Sequence, residues 1–224
     1  MARIARVVAP DYPHHIIQRG NRRQQTFFCD EDYAFYISTT AEWCARNKVT
    51  ILSYCLMPNH VHFIAVPENA EGLRRAFGEA HRRYTKRINT REKWYGYLWQ
   101  GRFISYILDT SHLITASRYI ELNPVRAGLV RSPEQWQWSS ARAHIDKKDD
   151  QLCTVLPLLE LAGKEWHSFL NETIPDDQVE ELRRHERSGR PLGTKGFVIE
   201  LEKKLKRSLF PKKRGPKFKK TKNN

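Results

Sequence analysis

Residues 49–66 read VTILSYCLMPNHVHFIAV, and the two halves of this stretch decide the fold. Residues 49–57 are β-branched, aromatic and apolar, and residues 60–66 resume that character after Pro58 and Asn59. Two strand-like runs split by a Pro-Asn pair predict a hairpin. Working outward, residues 14–19 (HHIIQR) form an apolar-centred strand that ends in the turn Gly20-Asn21-Arg22-Arg23. Asp30 is placed to cap a helix over residues 31–47, where Tyr33, Phe35, Tyr36 and Trp43 supply packing mass. Downstream, residues 70–89 read as a helix and residues 102–107 as a strand. Asp109 or Thr110 then opens a helix that runs to the Asn123-Pro124 break. The order β-α-β-β-α-β-α is the split β-α-β pattern, ferredoxin-like or RRM-like, of the α+β class. It predicts a four-stranded antiparallel sheet with helices on one face.

Beyond residue 135 the pattern becomes irregular, and residues 146–150 are polar enough for a linker. Three regions are expected: a folded domain over 1–145, a linker and helical segment over 146–185, and a basic, flexible tail over 186–224. Residues 152–170 have helical apolar spacing, and Phe197, Leu201 and Leu205 recur every four residues as a short amphipathic helix. Net charge is +14, yet eleven basic residues and no acid follow Glu202, so most of the excess sits at the end. A tail of that kind binds a polyanion, or is merely solvated. The eight basic residues between 74 and 93 form a second cationic stretch on a helix. No apolar run approaches the ~20 residues of a membrane span. The opening MARIAR lacks the apolar core of a signal segment. The four cysteines include no Cys-x-x-Cys pair, so a reduced cytoplasmic protein without zinc-ribbon chemistry is expected, and the basic excess adds the expectation of nucleoid association.

His60 and His62 flank Val61 on the second strand of the hairpin, so both imidazoles project from one face. Such a pair can share one divalent cation with a third ligand from elsewhere; it can also be two surface histidines. Mid-strand in an apolar run, unpartnered polar rings would be costly to bury. Tyr119 and Asn123 stand four residues apart and share a helix face, although Pro124 disfavours a helical Asn123. A core tyrosine with its hydroxyl tied off would look the same.

Three ordered motifs join these pairs. Residues 54–66 (YCLMPNHVHFIAV), 99–103 (WQGRF) and 118–130 (RYIELNPVRAGLV) resemble the single-tyrosine HUH transposases, and within them the REP-associated tyrosine transposases. The resemblance spans residues 16–143 and includes asparagine, where relatives outside that branch carry glutamine, four places after the tyrosine. It implies that His60, His62 and Asn123 hold Mg²⁺ or Mn²⁺ against a scissile phosphate. It implies that Tyr119 attacks the phosphorus, forming a 5′-phosphotyrosine link and releasing a 3′-hydroxyl. The implied partner is single-stranded DNA carrying a hairpin, with no membrane and with a monomer or homodimer both open.

Arg19, Asn21, Arg22, Arg23, Arg82, Arg83, Arg87 and Arg102 are the candidate DNA contacts, since Arg forks clamp phosphates or read base edges. Structural ion pairing would account for such arginines equally well. Two other functions use related folds: a non-catalytic DNA- or RNA-binding protein, and a rolling-circle replication initiator nuclease. RNA-recognition sheets stack bases on aromatics of their central strands, where this chain carries His60 and His62. The tail either neutralises phosphates or folds over the active site and restrains it.

Overall fold

The computed structural model describes residues 5–163 and 165–211. The chain runs through β1 (His14–Arg19), α1 (Asp30–Arg46), β2 (Val49–Met57), β3 (His60–Pro67), α2 (Gly72–Glu92), β4 (Ile104–Ile107) and α3 (Thr110–Glu121). It continues through α4 (Asn123–Arg126), α5 (Ala141–Ile145), α6 (Leu156–Ala162), α7 (Trp166–Asn171), α8 (Asp176–Ser188) and α9 (Lys195–Leu205). The strands form one four-stranded sheet in the order β2-β3-β1-β4, with every neighbouring pair antiparallel. This is the split β-α-β arrangement that the sequence predicts.

The hairpin turns at Pro58 and Asn59 because Met57 pairs with His60. The turn is itself pinned from outside: Thr26 and Phe27 donate their backbone N–H to Pro58, and Gly20 donates to Asn59 at 2.8 Å. Gly20 has to be glycine, since a Cβ there would meet the Gln24 carbonyl at 2.3 Å. The end of β1 and the start of β3 are thereby held side by side, with Arg19 opposite His60 in the register.

Helices cover both faces, where the sequence predicted one. The reason is visible in the hairpin: eight of the nine residues of β2 are buried, so neither face can be left to water. On one side Ile16, Val61 and Phe63 pack with Tyr36, Phe77 and Tyr84 of α1 and α2. On the other, Ile17, Ile64 and Tyr106 meet Ala116, Ile120, Leu158, Trp166 and Leu182 from α3, α6, α7 and α8. The pleat sends alternate residues to each layer, and His60 and His62 share the parity of Ile64.

Three boundaries differ from expectation for physical reasons. Cys29, not Asp30, is the cap of α1, and Asp30 joins the acidic first turn, where it meets the helix dipole. The helix expected to end at Asn123 breaks at Leu122, and Pro124 takes the second position of α4, where its missing N–H is harmless. Residues 186–211, expected to belong to a flexible tail, are folded here. They complete α8, form the expected amphipathic α9, and pack Val198, Leu201 and Leu209 against Val7 and Ile107. Leu192 also bonds Ile107 and Asp109, which covers the open edge of β4. Residues 212–224 of the expected tail lie outside the described residues. No helix among the described residues is long and apolar enough to cross a membrane.

Candidate active site

On the sheet face beneath α3 and α8, strand alternation lines up His15 of β1 with His60 and His62 of β3. The rings of His60 and His62 lie 5.0 Å apart, centroid to centroid. His60 is half-buried at the rim and pairs its Nδ1 with the Asn59 side-chain oxygen at 2.6 Å. Burial, then Arg19 and Arg23, push its imidazole down to about 4. Burial also holds the His62 imidazole well below its usual range, helped by His60 and His15. Both rings are therefore neutral at pH 7, with lone pairs available to a cation.

His62 is oriented from behind. Its Nδ1 meets His15 Nε2 at 2.9 Å, and His15 Nδ1 meets the Tyr106 hydroxyl at 2.6 Å. The chain can run in two polarities. In one, His62 donates to His15, His15 donates to Tyr106, and the Tyr106 hydroxyl donates on to the Leu182 carbonyl at 3.5 Å. That polarity places every donor and leaves His62 Nε2 its lone pair.

Tyr119 sits in the last turn of α3, 6% exposed, with its ring edge-on to His62 at 6.1 Å. Arg126 of α4 lies over the ring at 4.5 Å from its centroid. Arg183 of α8 is within hydrogen-bonding reach of the phenol; Glu180 first, and then this hydroxyl, raise its guanidinium pKa. One guanidinium thus lies over the ring and a second stands beside the hydroxyl. The other tyrosines near this core are unsuited to attack: Tyr84 and Tyr106 are fully buried, and the Tyr84 hydroxyl is tied to the Thr26 carbonyl at 2.6 Å.

Asn123 starts α4, half-buried, and its side-chain Nδ2 is buried with no hydrogen-bond partner among the described residues. Glu186 of α8 has the same property at Oε1. Burial raises its carboxyl to about 7, against the pull of Arg19, Arg183 and Arg187. Ligand atoms of His15, His62 and Glu186 all lie within 4.8 Å of one another, and since both His15 nitrogens are engaged by His62 and Tyr106, His62 and Glu186 are the two left to face a cation. Neutral imidazoles, a carboxylate without a partner and a side-chain amide are donors that fit a divalent cation.

The sequence-predicted residues divide into two groups. His60, His62, Tyr119 and the Arg19 to Arg23 corner gather at one end of the sheet, where Asn59 donates to the Arg23 carbonyl at 3.1 Å. Asn21 donates its backbone N–H to Leu98, while Arg22 and Arg23 are exposed in left-handed conformations. Arg82, Arg83 and Arg87 are elsewhere: α2 covers the opposite face, and they pair with Glu79 and, at 3.9 Å, Asp32. Arg102 is exposed and shares a cleft with Arg82.

His15, Arg126, Arg183 and Glu186 were not singled out by sequence. His15 carried a usable signal, because a polar ring in an apolar strand is costly to bury without a partner. Arg183 and Glu186 carried none; their approach depends on how α8 docks.

Residues 9–123 match the family described as transposase, IS200 like. A Haemophilus influenzae protein named as a REP-associated tyrosine transposase is 24% identical over 136 residues, which is 56% of this chain and 75% of that protein. A solved REP-associated tyrosine transposase, bound in its structure to a REP hairpin, shares the fold with a TM-score of 0.53. It is 21% identical, over 66% of this chain and 87% of that one.

Proposed function

The chain belongs to the IS200-like transposase family, and from that premise we propose that it is a metal-dependent endonuclease and strand transferase for hairpin-containing single-stranded DNA. The observation that carries this reading is Tyr119, set edge-on to His62 at 6.1 Å with Arg126 and Arg183 around it. The phenol oxygen attacks the scissile phosphorus while the bond to the 3′ oxygen breaks. The phosphoryl group is left on Tyr119 as a 5′-phosphotyrosine, and the phenol proton is balanced by the one the 3′ oxygen gains. One phosphodiester is exchanged for another, so the released 3′-hydroxyl, or that of a second strand, can reverse the step without an external energy source.

His60 and His62 would hold Mg²⁺ or Mn²⁺, with Asn123 or Glu186 completing the set. Bound there, the cation polarises the phosphoryl oxygens and offsets charge in the transition state. The remaining work belongs to the protein's own groups. Arg126 and Arg183 stabilise negative charge as the phenol loses its proton, and the Tyr106–His15–His62 chain keeps the His62 ring turned to the site. Arg19, Asn21, Arg22 and Arg23 lie next to His60 and are the nearest groups to hold the strand that enters it.

The test is formation of a covalent adduct with end-labelled single-stranded hairpin DNA in Mn²⁺. Tyr119→Phe should abolish the adduct and leave DNA binding within about twofold, since only the attacking oxygen is lost. An adduct that persists in Tyr119→Phe defeats the assignment. Tight binding by the unaltered chain with no adduct in any metal would favour a non-catalytic DNA-binding protein instead.

A further inference from the structure

Residues 93–97, KWYGY, join α2 to the segment that leads into β4. Within these five positions Trp94 is 44% exposed, Tyr97 85% and Tyr95 fully exposed. Rings of this size, clustered in water, are the compositional mark of a contact surface. The loop is also fixed. Lys93 ends α2 in a left-handed conformation (φ 57°), and Trp94 donates its backbone N–H to Asn89 at 2.9 Å. The Asn89 side chain returns to the Gly96 carbonyl at 3.0 Å, and Phe28 supports the Trp94 ring edge-on at 5.7 Å. Beyond the loop, Leu98 and Trp99 are buried.

Cationic side chains line the clefts beside these rings. Lys86 and Lys93 line a cleft of about 480 Å³ beside Trp94 and Tyr95. Arg74, Arg82 and Arg102 line a second, of about 270 Å³, beside Tyr97. Among the described residues no acidic side chain lines either cleft, although Glu79 pairs with Arg82, and Glu71 with Arg74 at 2.6 Å, close by. The surface is joined to the active site through the backbone: Asn21 donates to Leu98 at 2.8 Å and Gln100 donates to Arg19 at 2.7 Å, and Arg19 faces His60 across the sheet.

We propose that Trp94, Tyr95 and Tyr97 form a stacking platform for unpaired bases of the DNA strand, with the flanking lysines and arginines following its backbone. This rests on the DNA-processing function proposed above and names a part of the substrate, the single-stranded arm outside the hairpin. Exposed rings between cationic clefts suit single strands, because every base offers a π-face and every nucleotide a phosphate. A paired stem hides those faces, so the platform distinguishes an unpaired arm from a duplex.

The experiment uses the full chain and two DNAs: a hairpin with a single-stranded arm carrying 2-aminopurine, and the same hairpin without the arm. The unaltered chain should quench 2-aminopurine fluorescence on binding. Tyr95→Ala with Tyr97→Ala should lose that quenching and bind the armed hairpin about tenfold or more weakly. Affinity for the armless hairpin should change less than twofold. Both side chains are exposed, so the melting temperature should not move. Unchanged affinity and quenching in the double variant overturns the platform, as does a variant that differs only in self-association by sedimentation, which would mean the rings meet a second copy of the chain. Adduct formation by the unaltered chain separates the two readings. An adduct without quenching removes the platform and leaves Tyr119 as nucleophile, whereas quenching that depends on Tyr95 and Tyr97 without an adduct does the reverse.

Discussion

Glu186 brings a carboxylate into a place that disfavours one. Burial raises it to about 7, its Oε1 has no hydrogen-bond partner among the described residues, and the nearby imidazoles of His15 and His62 are neutral. A carboxyl whose folded pKa lies above its unfolded value is most favourable to folding at low pH, and that contribution is lost as pH rises from the unfolded value through about 7. At pH 8 Glu186 should therefore destabilise the metal-free protein by up to about 3 kcal/mol. A bound divalent cation removes the penalty. Glu186→Gln should then raise the melting temperature of metal-free protein at pH 8 and weaken Mn²⁺ binding by about tenfold or more, measured by scanning calorimetry and by titration of the free Mn²⁺ signal. The opposite signs matter: a glutamate with only a structural role would lower stability when replaced and leave Mn²⁺ affinity alone. At this scale the sequence discloses what short-range spacing can carry. His60, His62 and Tyr119 are legible because strand parity and motif order fix them. Glu186 is not, since it reaches His62 through a helix whose docking no local pattern encodes.

The element that carries the nucleophile is held from below. Glu121, two places after Tyr119 on α3, is fully buried and accepts from Trp166 Nε1 of α7 at 2.7 Å, Ser53 of β2 at 3.3 Å and Ser140. His144 of α5 adds its Nδ1 at 2.8 Å. Burial lowers the His144 imidazole, but Glu121, with the Ser140 carbonyl and Asp150, raises it overall, which favours the charged ring beside the carboxylate. Removing one partner of such a pair leaves the other uncompensated, which costs about 3–5 kcal/mol. Glu121→Ala should lose that much stability in urea titrations near neutral pH. A loss below about 1 kcal/mol would mean that water replaces the carboxylate easily and that α3 is held by its apolar side alone. The helical spacing of residues 152–170 is readable in advance. Their destination beneath α3 is not, because α6 and α7 span only Leu156–Ala162 and Trp166–Asn171. Helices this short show too little periodicity to reveal which face is buried or against what.

Across the whole molecule, the strand and helix order of the first 121 residues follows from hydrophobic period and turn chemistry, and it sets the sheet order. The second helical layer does not follow, because apolar runs such as β2 indicate that both faces are buried without naming what covers them. That double cover has a thermodynamic consequence. Burial holds His14 and His60 near 4, His15 and His81 near 3, and His62 well below 6.5. In the unfolded chain each titrates near 6.5, so between that pH and about 4 the unfolded state binds more protons than the native state. Stability contributed by the neutral rings is complete above pH 7 and lost as pH falls toward the folded values. Glu186 has the opposite sign over much of the same window and cancels about one of the five groups. A net four protons give a slope of up to about 5 kcal/mol per pH unit, enough to exhaust the ~5–15 kcal/mol of a typical domain within a few units. Urea titrations of the metal-free protein should show a steep decline of stability below pH 6. His81, paired with the Tyr36 hydroxyl at 2.8 Å on the face away from the active site, isolates one group. His81→Gln should reduce the slope by about 1.4 kcal/mol per pH unit without altering Mn²⁺ binding. A slope unchanged by that substitution would show that His81 titrates alike in the folded and unfolded chain, and that its burial does not contribute to the acid sensitivity.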